Sequence, residues 1–294
     1  MANEQEVRVR IRAIRQTLQV TKAMNLISTS KLRKGRRTLE DTEPFFTRVQ
    51  KTLYDIISGV GDVQSDFLRR GDSPDQKHTA VIIVSSDKGL AGSFNASIIR
   101  LASTVCDSVA NPVLIPVGNI AYRHFVHSPY AILENFSFRS QLPTLDDAKT
   151  IADYVISQYL WGIFNEVHIV YTHMYSTIKL LPVERQILPL DAKKMQEMIT
   201  QSGGERRETL HFEYLPSKEI VFHTLIPLSI QGLIYGCLVE SYVSEQSARM
   251  AAMDESSKNA ENMLADLQIY YNRVRQANIT QEMTEISSGA SSLE

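Results

Sequence analysis

CLVESYVSEQSARMAAMDESSKNAENMLADLQIYYNRVRQANITQEMTEISS, residues Cys237–Ser288, runs for 52 residues without a glycine or proline. Nearly all of it reads as one helix, far longer than a compact domain requires. Val239, Val243, Met250, Met253, Ala260, Leu264, Leu267, Tyr271 and Val274 recur at alternating spacings of three and four. Polar Gln246, Ser257, Asn278 and Gln281 occupy the remaining positions of that seam. This is the period of a left-handed coiled coil, whose apolar stripe must meet a partner helix. At 1.5 Å per residue the helix is roughly 75 Å long. A rod of that length calls for a mechanical or scaffolding role.

The partner lies at the other end of the chain. Residues before Gly35 contain no glycine or proline, and Ile11, Ile14, Leu18, Thr21, Asn25, Ser28 and Leu32 repeat the same spacing with a more polar seam. The pattern continues through Phe45, Val49, Leu53 and Ile56, and Pro44 either kinks one helix or begins a second. Between the ends the grammar changes. Thr79–Ser85 is a continuously apolar, β-branched run of the kind found in buried parallel strands. A glycine-bearing loop from Ser86 to Ser93 follows, then a helix capped by Asn95 and running to Val109. Strands at Val113–Val117, Ala131–Phe138 and Glu166–Tyr175 alternate with helices at Ala121–His127 and Leu145–Trp161. A last pair of strands near Ile178–Leu188 and Leu210–Tyr214 flanks a polar stretch containing Gly203 and Gly204.

Strand alternating with helix makes a Rossmann-like, doubly wound α/β domain. The economical architecture inserts this domain between two terminal helices that pair as an antiparallel left-handed coiled coil. Its divisions are an N-terminal helix over 1–60, a polar linker over 61–77, the α/β domain over 78–215 and the long C-terminal helix over 216–294. Each CH₂ withdrawn from water along the seam contributes about 0.8 kcal/mol. The polar seam positions weaken the pairing locally and leave a stretch for other proteins.

Composition narrows the classes of function. Hydrophobic residues make up 43 % of the chain, enough for a core. No apolar run is expected to reach the roughly 20 residues of a membrane span. The sequence Met1–Glu6 has no secretory core and its acids argue against an organellar presequence. Cys106 and Cys237 stand far apart and read as small core residues of a reducing compartment. Residues 1–40 carry a charge of +7, from Arg8, Arg10, Arg12, Arg15, Lys22, Lys31, Arg33, Lys34, Arg36 and Arg37 against Glu4, Glu6 and Glu40. The net charge of −2 leaves −9 on the rest. Such asymmetry suits nucleic acid, an anionic surface or an acidic protein partner.

Enzymatic sites find little support. The loop Asp87–Gly92 lies where phosphate-binding loops lie, but it has neither the G-x-G-x-x-G nor the G-x-x-x-x-G-K-[ST] spacing. Its glycines are accounted for by turn geometry alone. His124 and His127 form a close pair without acidic or cysteine ligands at metal spacing. No G-x-S-x-G elbow is present. Residues 1–44 contain no aromatic platform for bases. A nucleotide-binding α/β enzyme with coiled-coil arms and a basic-helix nucleic-acid binder remain the competing readings, and the expected cofactor list is empty.

Three blocks resemble the gamma subunit family of F-type ATP synthase: Ile14–Met24 with Ser30–Arg33, Ser86–Asn95, and Ser244–Met253 with Tyr271–Glu282. The resemblance spans essentially the whole chain. It departs at Ala91, Ser93 and Phe94, at Pro227 near the start of the last helix, and in having no cysteine-bearing insertion at 190–210. It implies a central rotor shaft that carries rotation driven by transmembrane ion flow to the catalytic beta subunits, and the reverse in hydrolysis. The shaft itself is not an enzyme. The implied partners are the alpha and beta subunits, the epsilon subunit and the ring of c subunits, with one gamma copy per complex, no nucleic acid, and membrane contact only through the c ring. The implied place is the cytoplasmic side of a bacterial plasma membrane, as a peripheral protein. Residue by residue, Arg275 and Gln276 match positions that hydrogen-bond a beta-subunit loop, with Thr280 and Glu282 in the same motif. Met24 matches the shaft position facing the beta-subunit lever, with Arg249 and Glu245 across from it. That lever is acidic in the family, so Lys22, Arg33, Arg36 and Arg37 would supply a complementary field.

Overall fold

The computed structural model describes residues 4–59, 65–68, 78–132, 142–177, 179–190, 215 and 217–291. They divide into two compact units, a helix pair built from 1–29 with 249–294 and an α/β unit over 30–248. Helix α1 is Glu4–Gly59. Strands β1 (Thr79–Val84), β2 (Pro112–Val117) and β3 (Ala131–Ile132) follow, with α2 (Phe94–Ser108) and α3 (Asn119–Phe125) between them. Helix α4 (Leu145–Leu160) leads to β4 (Glu166–Met174) and β5 (Leu180–Leu188). The last helix, α5, is Lys218–Ser291. The central domain is thus a mixed α/β fold set between two long terminal helices. Of the expected strands, Leu210–Tyr214 and the part of β3 beyond Ile132 lie outside the described residues.

The sheet order is β3-β2-β1-β4-β5. Strand β1 pairs parallel with both β2 and β4, in register Thr79↔Pro112 and Thr79↔Glu166. It is buried along its whole length, as a continuously apolar strand between two parallel neighbours should be. Strand β5 closes the edge antiparallel to β4. Helix α2 turns Phe94, Ile98, Ala102, Val105 and Cys106 into the core beside Val81, Ile83 and Leu114. Helix α4 buries Ala148, Ile151, Ala152, Val155, Ile156 and Tyr159. Its start is a capping box: Thr144 Oγ1 accepts from the Asp147 N–H at 3.2 Å, and Asp147 Oδ2 accepts from the Thr144 N–H at 2.7 Å.

Within the α/β unit α1 and α5 pack closely. Leu32, Val49, Leu53 and Ile56 are buried on α1, and Phe222, Ile226, Ile230, Ile234 and Leu238 on α5. One 18-residue window of α5 is apolar enough by length and composition to cross a bilayer, contrary to the sequence expectation. Here its large side chains serve packing. Phe45, expected on the seam, is exposed, and Phe46 lies against α5 instead. A Cβ on Gly232 would fall 1.9 Å from Phe46 Cδ1, so only glycine admits that ring. Pro44 neither ends α1 nor starts a new helix, and Pro227 sits inside α5.

In the helix-pair unit the seam is plain in the burial pattern. Met253, Ser257 and Ala260 are buried, and Leu264, Leu267, Tyr271 and Val274 are half-buried among exposed neighbours. On α1, Val7, Ile11, Thr21 and Ser28 are buried. Antiparallel alignment follows from three contacts. Asn25 Nδ2 donates to the Met250 carbonyl at 3.1 Å, Ser257 Oγ donates to Thr21 Oγ1 at 2.8 Å, and Arg8 Nε donates to the Tyr271 hydroxyl at 2.9 Å. Ser257 and Gln246 are therefore interior positions, not stretches left open for other proteins. From Arg275 to Ser288 every residue is exposed.

Replacing Gly232 by alanine should overpack the Phe46 contact and cost about 1–3 kcal/mol. A lowered thermal midpoint of the purified chain, against an unchanged one for alanine at the open Gly89, checks this.

Candidate functional site

Two places compete, the loop after β1 and the exposed face of the helix pair. The loop is tied to the start of α3 and back to Asn95 by its own side chains and backbone. The Ser86 N–H donates to Asn95 Oδ1 at 3.1 Å, and the Asn119 N–H donates to Asp87 Oδ1 at 3.1 Å. The Ile120 N–H donates to the Ser86 carbonyl at 3.1 Å, and the Ala121 N–H to Ser85 Oγ at 3.0 Å. A phosphate needs unfilled N–H groups at a helix start, and at the start of α3 the chain's own oxygens hold them. Gly118, at φ 95, lets β2 turn into α3, since a Cβ there would stand 2.4 Å from the Ser85 carbonyl oxygen. Asn95 is not the cap expected of it. Ser93 holds that position without a side-chain cap bond, and Asn95 reaches back to tie the loop.

Other chemical candidates resolve into packing. Cys106 and Cys237 are buried and unbridged, and burial pushes both thiols up to about 12, so both stay neutral. His124 lies edge-on to Phe125 with ring centroids 4.9 Å apart. Among the described residues no three His, Cys, Asp or Glu side chains converge as metal ligands.

On the helix pair, the polar and charged residues stand outward around a satisfied seam. Of the ten basic residues of 1–40, only Lys31 is even half-buried. Lys22 forms an ion pair with Glu261 at 2.7 Å, with both partners exposed, where such pairs contribute little. The bond from Asn25 to Met250 places Met24 and Arg249 on either side of that level, offset by about 3 Å along the axis because the helices run antiparallel. Both are half-buried. Glu245, one turn earlier on α5, is half-buried within the α/β unit. Arg275, Gln276, Thr280 and Glu282 are all exposed on α5, just past the last half-buried seam residue, Val274. Thr280 Oγ1 donates to the Gln276 backbone carbonyl at 2.9 Å, and the Gln276 side chain is exposed.

One cluster escaped sequence reasoning. The Tyr271 hydroxyl donates to Glu4 Oε1 at 2.9 Å while accepting from Arg8, and Arg8 Nη2 closes the ring on Glu4 at 2.7 Å. The Tyr271 hydrogen bond, with the Arg8 charge behind it, holds the Glu4 carboxyl below its ordinary value. The signal available was the i, i+4 pair Glu4–Arg8 facing a seam position that ends in a hydroxyl. The clamp docks the first turn of α1 immediately below Arg275 and Gln276.

A family model for ATP synthase matches residues 3–293. The ATP synthase gamma chain of Acetivibrio thermocellus is 36 % identical over 294 residues, covering 100 % of both chains. The chain belongs to the ATP synthase gamma chain family. The gamma chain of Ruminiclostridium cellulolyticum is 40 % identical over 293 residues, covering 99 % of each. A structure of Euglena gracilis mitochondrial ATP synthase, comprising OSCP, F1 and c-ring, contains a chain of the same fold. That chain superposes with a TM-score of 0.65 at 15 % identity, over 99 % of this chain and 94 % of the other. A gamma chain is the central-stalk rotor of an F-type ATP synthase and a non-catalytic subunit of it.

Removing the Tyr271 hydroxyl with Tyr271→Phe should raise amide hydrogen exchange severalfold over residues 4–11 and leave β1 unchanged. Acid should lower the protection of the same amides in the native chain, measured relative to the slower intrinsic exchange at that pH. A carboxyl whose folded value is depressed adds stability that is present above its ordinary 4.5 and is lost as pH falls through the lowered value.

Proposed function

We propose that the helix pair of this gamma chain turns within a ring of alternating alpha and beta subunits, and that the α/β unit meets the epsilon subunit and the ring of c subunits. One copy serves each complex. The complex sits at a bacterial plasma membrane with this chain on the cytoplasmic side, its membrane contact made only through the c ring. Ion flow turns the c ring and this chain together, and the turning shaft drives the three beta-subunit sites through their states in sequence.

The observation that carries this reading is the division of labour along α5. Its seam is filled by α1 of the same chain, while Arg275, Gln276, Thr280 and Glu282 remain exposed on a helix that continues to Ser291. In this reading Arg275 and Gln276 hydrogen-bond a beta-subunit loop, with Thr280 and Glu282 supporting that contact. Met24, with Arg249 and Glu245, meets the beta-subunit lever. The exposed cations Lys22, Arg33, Arg36 and Arg37 supply a field complementary to an acidic surface. Exposed Ile279, Met283 and Ile286 give the end of α5 an apolar face suited to a water-poor sleeve.

Co-purification of the tagged chain from its native membrane should recover alpha and beta subunits, each in about threefold molar excess, a stoichiometry that one shaft inside a sixfold alternating ring requires. Equimolar recovery, or none, would exclude the arrangement. Met24→Lys should bring a cation beside Arg249 and disturb the lever contact. ATP hydrolysis by the assembled complex should largely persist, while ATP-driven ion uptake per ATP falls severalfold. Uptake at the native ratio would remove Met24 from the contact.

A further inference from the structure

Along one side of α5, Cys237, Glu240, Ser244 and Ser247 follow at spacings of three, four and three. Each meets the last residues of β4, its edge partner, or the turn beyond. Ser244 Oγ donates to the Thr172 carbonyl at 3.1 Å, and Ser247 Oγ donates to the Thr177 carbonyl at 3.0 Å. Glu240 Oε1 accepts from the Met174 N–H at 3.3 Å. The same oxygen lies 2.5 Å from His173 Nδ1, without hydrogen-bond angles. Cys237 is in hydrogen-bonding contact with Tyr171 and Arg185. Ser244 and Ser247 are almost wholly buried, at 0 % and 1 % exposure.

This stripe is not the coiled-coil seam. The seam residues Val239, Val243 and Gln246 each precede a stripe residue by one position, which is about 100° around a helix. Nor is it ordinary helix–sheet packing. Helices α2 and α4 pack with Ala, Ile, Val and aromatic side chains. Burying hydroxyls gains no transfer energy, and each must find a partner. Apolar packing is also non-directional. A hydroxyl bound to a fixed backbone carbonyl has a narrow range of distance and angle. Bonds at successive turns of a helix therefore fix both its rotation about its own axis and its axial position. Strand β4 is held by β1 as far as Val170, and beyond it, at Thr172 and Met174, by β5 alone, so that the stripe of α5 bonds the backbone groups β1 no longer covers.

We propose that Glu240, Ser244 and Ser247 are positioning residues that join α5 to β4 in rotation, so that torque entering the α/β unit passes into the long helix without slip. This rests on the rotor role of the family and adds to it the place where the torque crosses from sheet to helix.

The test uses the assembled complex with its catalytic ring fixed to a surface and a nanorod attached to the α/β unit. Angular fluctuation is recorded during the pauses between ATP-driven steps. Rotation of the native complex checks the rotor role by itself. In the Ser244→Ala/Ser247→Ala complex, hydrolysis should stay within about twofold of native while the angular variance rises about twofold, since each lost bond removes a directional constraint. Threonine at both positions keeps the hydroxyls and should restore the native variance. A merely stabilising role would lower the unfolding temperature and leave the variance unmoved. Native variance in a rotating Ser244→Ala/Ser247→Ala complex would overturn the proposal. Should that variant fail to assemble, Ser247→Ala alone decides it, because its acceptor lies in the exposed turn at Thr177.

Discussion

Two apolar stripes, one at each end of the chain, must cover one another. Neither α1 nor α5 could stand alone in water, because every buried seam side chain would forfeit its share of roughly 1.5–3 kcal/mol. Pairing the chain's two ends forces the middle of the sequence to leave and return, and the α/β unit is what lies between. The pairing also determines which residues remain for other molecules. Side chains off the seam face outward, and among the charged ones on residues 4–40 of α1 cations predominate.

An apolar stripe alone is permissive about register, since a shift by one heptad presents the same kind of surface. Polar groups supply the discrimination. Asn25 on the Met250 carbonyl, Ser257 on Thr21 and the Glu4–Arg8–Tyr271 ring each satisfy their donors and acceptors in one alignment. Within the α/β unit, Gly232 does the same sterically by admitting Phe46 where a Cβ would collide. Along the next face of α5, hydroxyls and a carboxylate tie the helix to β4. Asn25, Thr21 and Ser257 thus set register from within the seam, whereas Asn278 and Gln281 farther along it are exposed. A rotor needs that property more than it needs raw stability.

Much of this was legible in advance because the signals are periodic. The three-four spacing from Val239 to Val274 located the seam residue by residue, and the apolar run at Thr79–Ser85 located the buried strand. Two positions depart from the local pattern, in each case where a contact made by the fold decides. Spacing points to Phe45 for the seam, but Phe46 fills it, because spacing cannot register the space left at Gly232. Asn95 suits a helix cap by residue type, but the unsatisfied Ser86 N–H nearby claims its side chain.

The amino-acid sequence by itself determined the two terminal helices, the strand–helix alternation between them and the family, since these follow from local period and from motifs contiguous in the chain. Only the tertiary structure decided which polar side chains face inward and what they bind. Tyr271 with Glu4 and Arg8, Ser257 with Thr21, and Ser244 with the Thr172 carbonyl are separated by 72 to 267 positions in the chain. A buried hydroxyl is satisfied by whichever group the fold brings within about 3 Å. Periodicity records that a position is covered and carries no record of the atom that covers it.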